Sequence, residues 1–154
     1  MGARELTKDV FMVGSFDWDR RLFDELMPLP DGTTYNSYLI KGSEKTALID
    51  TVEPEKKHEL IGNLKKLGVD KIDYIIANHA EQDHSGSIPD LLSIYPTAKV
   101  VTNNKCKEML KNLLVIPDEK FIIITNNEKL SLGNKTLNFI IPPWVHWPET
   151  MLTF

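Results

Sequence analysis

Four side chains able to hold a metal ion fall within six positions, in Asn78-His79-Ala80-Glu81-Gln82-Asp83-His84-Ser85-Gly86. In extended backbone successive side chains alternate, so His79 and Glu81 project to one side and can close on a single ion. Asp83 and His84 are neighbours and point apart unless the chain turns. Ser85-Gly86-Ser87 ahead of Pro89 has the composition of a turn running into a helix, which would aim them at a second ion. Two imidazoles and two carboxylates are borderline and hard donors, and without a thiolate the set disfavours a structural zinc site or an iron–sulfur cluster. The expected chemistry is that of a binuclear centre working on oxygen or water. A merely solvated charged loop would fit poorly behind the apolar run that precedes it.

That run, residues 72–77, is short and β-branched, as suits a strand buried on both faces, so the ligands sit where a buried strand ends. Upstream, residues 10–14, 33–40 and 46–50 read as strands of an antiparallel meander, with a long loop over 17–32 holding Trp18, Pro28 and Pro30. Pro54 opens a helical pattern with Leu60, Ile61, Leu64 and Leu67 on one face and Lys56, Lys57, Asn63 and Lys66 on the other, ended by Gly68; His58 falls on the polar face and reads as solvated. Ile88, Leu91, Leu92 and Tyr95 repeat the helical spacing up to Pro96. A strand over 98–102 then leads to a helix capped by Asn103 or Asn104, whose buried stripe is Cys106, Met109, Leu110, Leu113 and Leu114; Cys106 there reads as buried and inert. Two more strands follow over 121–125 and 136–141. The order predicts an α/β (or α+β) fold of sheets covered by helices on their outer faces, with metal at the strand ends.

A chain of 154 residues, 42% hydrophobic and 26% charged, describes one ordinary globular unit. The net charge of −4 with scattered lysines and arginines gives no basic face for nucleic acid or an anionic membrane. No stretch is apolar enough for a signal peptide or a membrane span, and the single cysteine precludes an intramolecular disulfide, so a reducing cytoplasmic setting is expected. No glycine pattern for cradling phosphate occurs, so no nucleotide or flavin site is expected within this chain.

His79-x-Glu81-x-Asp83-His84 resembles the metal motif of the flavodiiron proteins, a branch of the metallo-β-lactamase superfamily in which a glutamate replaces the second histidine of the hydrolases. A carboxylate in place of an imidazole makes the first site harder and more negative, which favours iron over zinc. Further on, Pro142-Pro143-Trp144-Val145-His146-Trp147-Pro148-Glu149-Thr150-Met151 is too proline-rich to continue a strand and presents His146 on a rigid loop. Taken alone, a histidine between two tryptophans reads more readily as a packed core residue; the stretch from His146 to Met151, however, resembles the family's second metal loop. Trp144 and Trp147 would shield the pocket or simply pack in the core.

The resemblance implies the N-terminal portion of a metallo-β-lactamase-like αββα sandwich. It also implies two irons, with His79, Glu81 and His146 on the one nearer the flavin and Asp83 and His84 on the other. Asp50, ending its strand, resembles the superfamily's buried aspartate that supports the ligand loop, and as a plain turn residue it would be equally ordinary. The family's FMN would come from a flavodoxin-like domain outside this chain. In a head-to-tail homodimer or higher oligomer one subunit's FMN meets the partner's irons, with Trp147 and Glu81 as contacts. The implied activity is an oxidoreductase reducing O2 to water or NO to N2O, fed by coenzyme F420H2 or rubredoxin. The bridging aspartate and last histidine of the family find no match after His146, where only Glu149 can offer an anion. Residues 1–154 are therefore read as an incomplete diiron domain, a fragment or a chain completed by another polypeptide. Two alternatives stand beside this: a zinc hydrolase of the same fold, against which Glu81 counts, and a non-catalytic half-domain.

Overall fold

A computed structural model describes residues 2–154. The chain opens with a hairpin of β1 (Arg4–Thr7) and β2 (Val10–Met12), continues through the short strands β3 (Ser15–Asp17), β4 (Leu22–Phe23), β5 (Met27–Pro28) and β6 (Thr33–Tyr35), and completes the meander with β7 (Tyr38–Lys41) and β8 (Thr46–Ile49). β1 is exposed at every residue and carries no apolar alternation, so nothing in its sequence marks it as a strand. The stretch 33–40 is two strands rather than one: β6 pairs with β3 in a separate ribbon, and β7 joins the main sheet between β2 and β8. The break falls at Asn36-Ser37, where the amides of Val13 and Gly14 both donate to the Ser37 carbonyl, at 2.8 and 3.2 Å. A Cβ on Gly14 would overlap the Tyr35 carbonyl, so the crossing of these two bends requires glycine. The expected long loop over 17–32 carries the β4–β5 hairpin.

From β8 the chain alternates: α1 (Lys57–Lys66), β9 (Tyr74–Ile76), α2 (Gln82–Ser85), α3 (Ile88–Ile94), β10 (Lys99–Thr102), α4 (Asn104–Leu114) and β11 (Phe121–Ile123). Strands β8 to β11 are parallel neighbours in a seven-stranded sheet of order β1-β2-β7-β8-β9-β10-β11. Because crossovers between parallel strands are right-handed, a strand order that always advances the same way puts every connecting helix on one face. β12 (Lys129–Ser131), β13 (Thr136–Ile140) and β14 (Leu152–Thr153) form a second, antiparallel sheet.

Two cores follow from the period-two alternation of the central strands. Leu48, Ile75 and Val100 face the helices with Leu60, Leu64, Ile88, Leu91, Cys106 and Leu110. Their neighbours Ala47, Ile49, Ile76 and Val101 face the second sheet and meet Leu132, Leu137, Phe139 and Met151. Each such buried aliphatic side chain contributes about 1.5–3 kcal/mol. Helices were expected on the outer faces of both sheets. Among the described residues α1, α3 and α4 all cover the large sheet, and Ile140 and Leu152 of the small one are exposed. No helix among the described residues is long and apolar enough to cross a membrane.

Two side chains lie on the opposite face from the one their helical spacing predicts. Asn63, assigned to the charged face of α1, is 2% exposed: its Nδ2 donates to the carbonyls of Val13 and Gly14, so a polar side chain on the buried face is satisfied by the β2–β3 bend. Leu113, assigned to the buried stripe of α4, is 60% exposed, because the stripe runs through Cys106 and Leu110 and turns Leu113 towards a surface cleft. His58 is exposed as expected. Cys106 is fully buried, and burial pushes its thiol up to about 12. The Asn103 side chain caps α4 by accepting from the Cys106 amide.

Candidate metal centre

The parallel strands β8 and β9 end side by side and deliver Asp50 and Asn78 to the same edge. Asp50 leaves β8 in the left-handed region, φ 52°, its amide donating to the Ile76 carbonyl (2.8 Å) and its own carbonyl accepting from Ser37 Oγ (2.9 Å). Its Oδ1 accepts from the Asn78 amide (2.7 Å), while Oδ2 accepts from Asn78 Nδ2 (3.2 Å) and stands 3.2 Å from His84 Nδ1. Asp50 is therefore both the turn residue and the brace of the ligand loop.

Residues 78–86 are tied down further. The Thr51 amide and hydroxyl both donate to the His84 carbonyl at 2.7 Å, Ser85 Oγ donates to the Ala80 carbonyl (2.7 Å), and Thr102 Oγ1 donates to Ala77 (2.8 Å). The turn expected at 85–87 comes earlier. α2 begins at Gln82, so Asp83 and His84 lie within the helical turn instead of ahead of it. The turn starts there because Glu81 is still extended and its carbonyl receives the amides of His84 and Ser85. This curl brings Asp83 Oδ2 to 3.6 Å from His84 Nε2. Gly86 closes the turn against Pro54, where a Cβ would stand 2.6 Å from both the Gln82 carbonyl and the proline ring.

His79, Glu81 and His146 bring one ligand atom each within 4.8 Å of one another. Glu81 Oε2 lies 2.9 Å from His79 Nε2 and 3.3 Å from His146 Nε2, so one carboxylate oxygen stands between two imidazoles. The His79 ring lies 5.0 Å from that of His146 and 5.3 Å from that of His84. Asp83 and His84 thus form a second pair beside the first three rather than part of the same tight group. In the second loop both Trp144 (φ 52°) and His146 (φ 74°) are left-handed. Trp144 is 73% exposed, so it neither shields the pocket nor packs in the core. Trp147 is half-buried with its ring centroid 4.8 Å from that of His79 in an edge-on arrangement, and it lines, with Arg20, Glu53, Glu81, Asp83 and Leu113, a cleft of about 370 Å³.

The electrostatics would suit a cation. Burial raises the Asp83 carboxyl above its ordinary range, His84 opposes this, and the charge of Glu81 adds to the rise. For His84, burial acts to lower the imidazole but is outweighed by the Asp50 hydrogen bond and by the charges of Asp50, Asp83 and Glu81, which leave it at about 8. Burial also raises Glu53. Asp83 Oδ1 and Glu149 Oε2 are buried with no hydrogen-bond partner, although buried carboxylate oxygens are ordinarily paired. Two imidazoles and a carboxylate converging beside an orphaned carboxylate oxygen fit a divalent or trivalent cation with borderline-to-hard preference.

Glu149 is the residue the sequence reading undervalued, weighing it only as a spare anion. It is fully buried, and its Oε1 lies 2.6 Å from His79 Nδ1 and accepts from the Ala80 amide (3.2 Å). The signal available was a glutamate in a proline- and tryptophan-rich loop, where a charge persists only if it is paired.

Comparison with known proteins places the chain among relatives of one family. Residues 33–154 match the family described as ODP family beta lactamase. The chain is 40% identical over 155 residues to the flavo-diiron protein FprA2 of Clostridium acetobutylicum, covering 99% of this chain and 38% of that protein. It is 38% identical over 151 residues to a nitric oxide reductase of Moorella thermoacetica, covering 97% and 38%. Among solved structures it superposes on the rubredoxin oxygen:oxidoreductase of Desulfovibrio gigas with a TM-score of 0.93 at 34% identity, covering 99% of this chain and 38% of that one. The chain thus spans less than two-fifths of the length of these relatives.

Proposed function

The chain belongs to the ODP family of β-lactamase-like domains, and from that membership and its ligand set we propose that it is the metal-binding part of a flavodiiron oxidoreductase that reduces O2 to water or NO to N2O. The observation that carries this reading is Glu81, a carboxylate held between His79 and His146 where a zinc hydrolase of the same fold would present an imidazole. An anionic oxygen in that position stabilises the higher charge of a ferric ion and so suits a redox metal. Bound there, two irons would supply the electron-transfer chemistry, with FMN, held outside these residues, passing them electrons.

The chain's own residues have separate parts in this. His79, Glu81 and His146 would hold the iron nearer the flavin, and Asp83 and His84 the other. Asp50 fixes the His84 ring from behind. Glu81 and Asp83 place carboxylates along the cleft, and half-buried Trp147 lines it beside them. Trp147 and Glu81 are also the residues we expect to meet the FMN of a partner subunit in a head-to-tail dimer. The electron donor would be rubredoxin or reduced coenzyme F420, and the setting cytoplasmic.

The test is to purify the natural gene product anaerobically and determine iron, zinc and flavin per chain. Two irons and one FMN are expected. Zinc without flavin would overturn the reductase reading in favour of hydrolysis, and negligible metal of either kind would leave a non-catalytic domain.

A further inference from the structure

The contacts of Glu149 lead beyond the ligand set. Its side chain is fully buried, arrives from the second ligand loop, and ends on the first, 2.6 Å from Nδ1 of His79. The same Oε1 accepts from the Ala80 amide, so Glu149 is already acting as an acceptor and the His79 Nδ1 must carry the hydrogen between them. A histidine that ligates a metal is neutral and has one N–H, which with hydrogen on Nδ1 leaves Nε2 of His79 to offer its lone pair to the ion. That nitrogen is the one facing Glu81 Oε2, within the cluster completed by His146.

We infer that Glu149 is a positioning residue for the metal centre: it holds His79 in the Nδ1–H tautomer and presents Nε2 to the ion. The inference rests on the proposal that His79 is a metal ligand. A carboxylate behind a ligating histidine sets its tautomer and raises its basicity. The placement adds a second consequence. Glu149 lies three residues past His146 and is seated by Asn103, whose Nδ2 donates to the Glu149 carbonyl (2.6 Å), and by the chain two to four residues further on, where the Met151 amide donates to the Asn78 carbonyl (2.8 Å) and Thr153 Oγ1 donates to Asn78 Oδ1 (2.7 Å). The orientation of a ligand on the first loop therefore depends on the second loop being seated, and the two halves of the first metal site form together.

The experiment is a long-range ¹⁵N–¹H correlation spectrum of histidine-labelled protein, with zinc as a diamagnetic probe, on wild type, Glu149→Met and Glu149→Gln. Wild type is expected to show His79 bound through Nε2 with hydrogen on Nδ1. Glu149→Met should lose that signature and bind zinc about 10–100-fold more weakly. Glu149→Gln, which keeps an acceptor oxygen, should retain the signature and lose less affinity. A His79 in wild type that binds through Nδ1, or carries its hydrogen on Nε2, would overturn the inference, and this reading needs no variant to fold. Zinc bound through Nε2 with affinity and signature unchanged in both variants would overturn the role of Glu149 alone. Wild type that takes up neither zinc nor iron at His79 would overturn the metal-site proposal and this inference with it.

Discussion

The two ligand loops are built in opposite ways. Residues 78–86 are anchored along their length, by Asp50 at Asn78 and Thr51 at His84, both on residues that directly follow β8, and by an internal bond from Ser85 to the Ala80 carbonyl. Residues 142–150 are anchored at their end, through Glu149 and Asn103, and their middle carries two non-glycine residues at positive φ with Trp144 and His146 exposed. Backbone in that region costs of order 1–3 kcal/mol per residue and persists where the surroundings or a ligand hold it. The first loop is thus preorganised by the fold, and the second is set by the site. Metal binding should stiffen the second loop far more than the first.

That contrast can be broken at several points. Asp50→Ala removes the acceptor of the Asn78 amide and the partner of His84, at about 1–3 kcal/mol for each buried donor left unpaired. Urea unfolding of the metal-free chain should show this variant as the least stable of the set, and a loss comparable to a surface substitution would mean the first loop is not braced as described. Gly86→Ala forces a methyl group against Pro54 and the Gln82 carbonyl, with an expected cost of about 1–3 kcal/mol by the same measurement. His146→Ala, in the second loop, should change metal-free stability by less than about 0.5 kcal/mol while weakening metal binding at least tenfold by calorimetric titration. A large stability loss from His146→Ala would erase the distinction between the loops.

The smallest effect is a control away from both loops. Asp17 is buried, and although burial alone would raise its carboxyl, the Lys56 ammonium and the Tyr35 hydroxyl hold it below its ordinary value. A depressed folded-state pKa means that its contribution is fully present above the ordinary carboxylate value of about 3.8 and is lost as pH falls through the lowered one. Asp17→Asn should flatten that acid limb of the unfolding midpoint and leave metal affinity unchanged.

What could be read from the sequence was what depends on neighbours along the chain. His79 and Glu81 share a side because two residues of extended backbone require it, and a β-branched run ahead of them marks a buried strand end. Cys106 on an apolar stripe is buried for the same local reason. Several of the misses depend on contacts between distant segments. Asn63 is buried because a bend fifty positions earlier supplies its acceptors. β1 is a strand because β2 lies beside it, and Glu149 matters because it reaches a histidine seventy positions earlier. The early start of α2 was hidden because a four-residue helical turn carries no periodicity. His146 in turn became a candidate ligand only through family resemblance, since a histidine between tryptophans has no local signature of a ligand.

If both loops hold one iron, X-ray absorption at the iron edge of the loaded protein will show it. A nitrogen- and oxygen-ligated iron is expected, whose average imidazole count falls in His79→Ala and likewise, without sulfur entering, in His146→Ala. An imidazole count unchanged by His146→Ala would contradict it, because the second loop would then contribute no ligand to the site that Glu81 sits within.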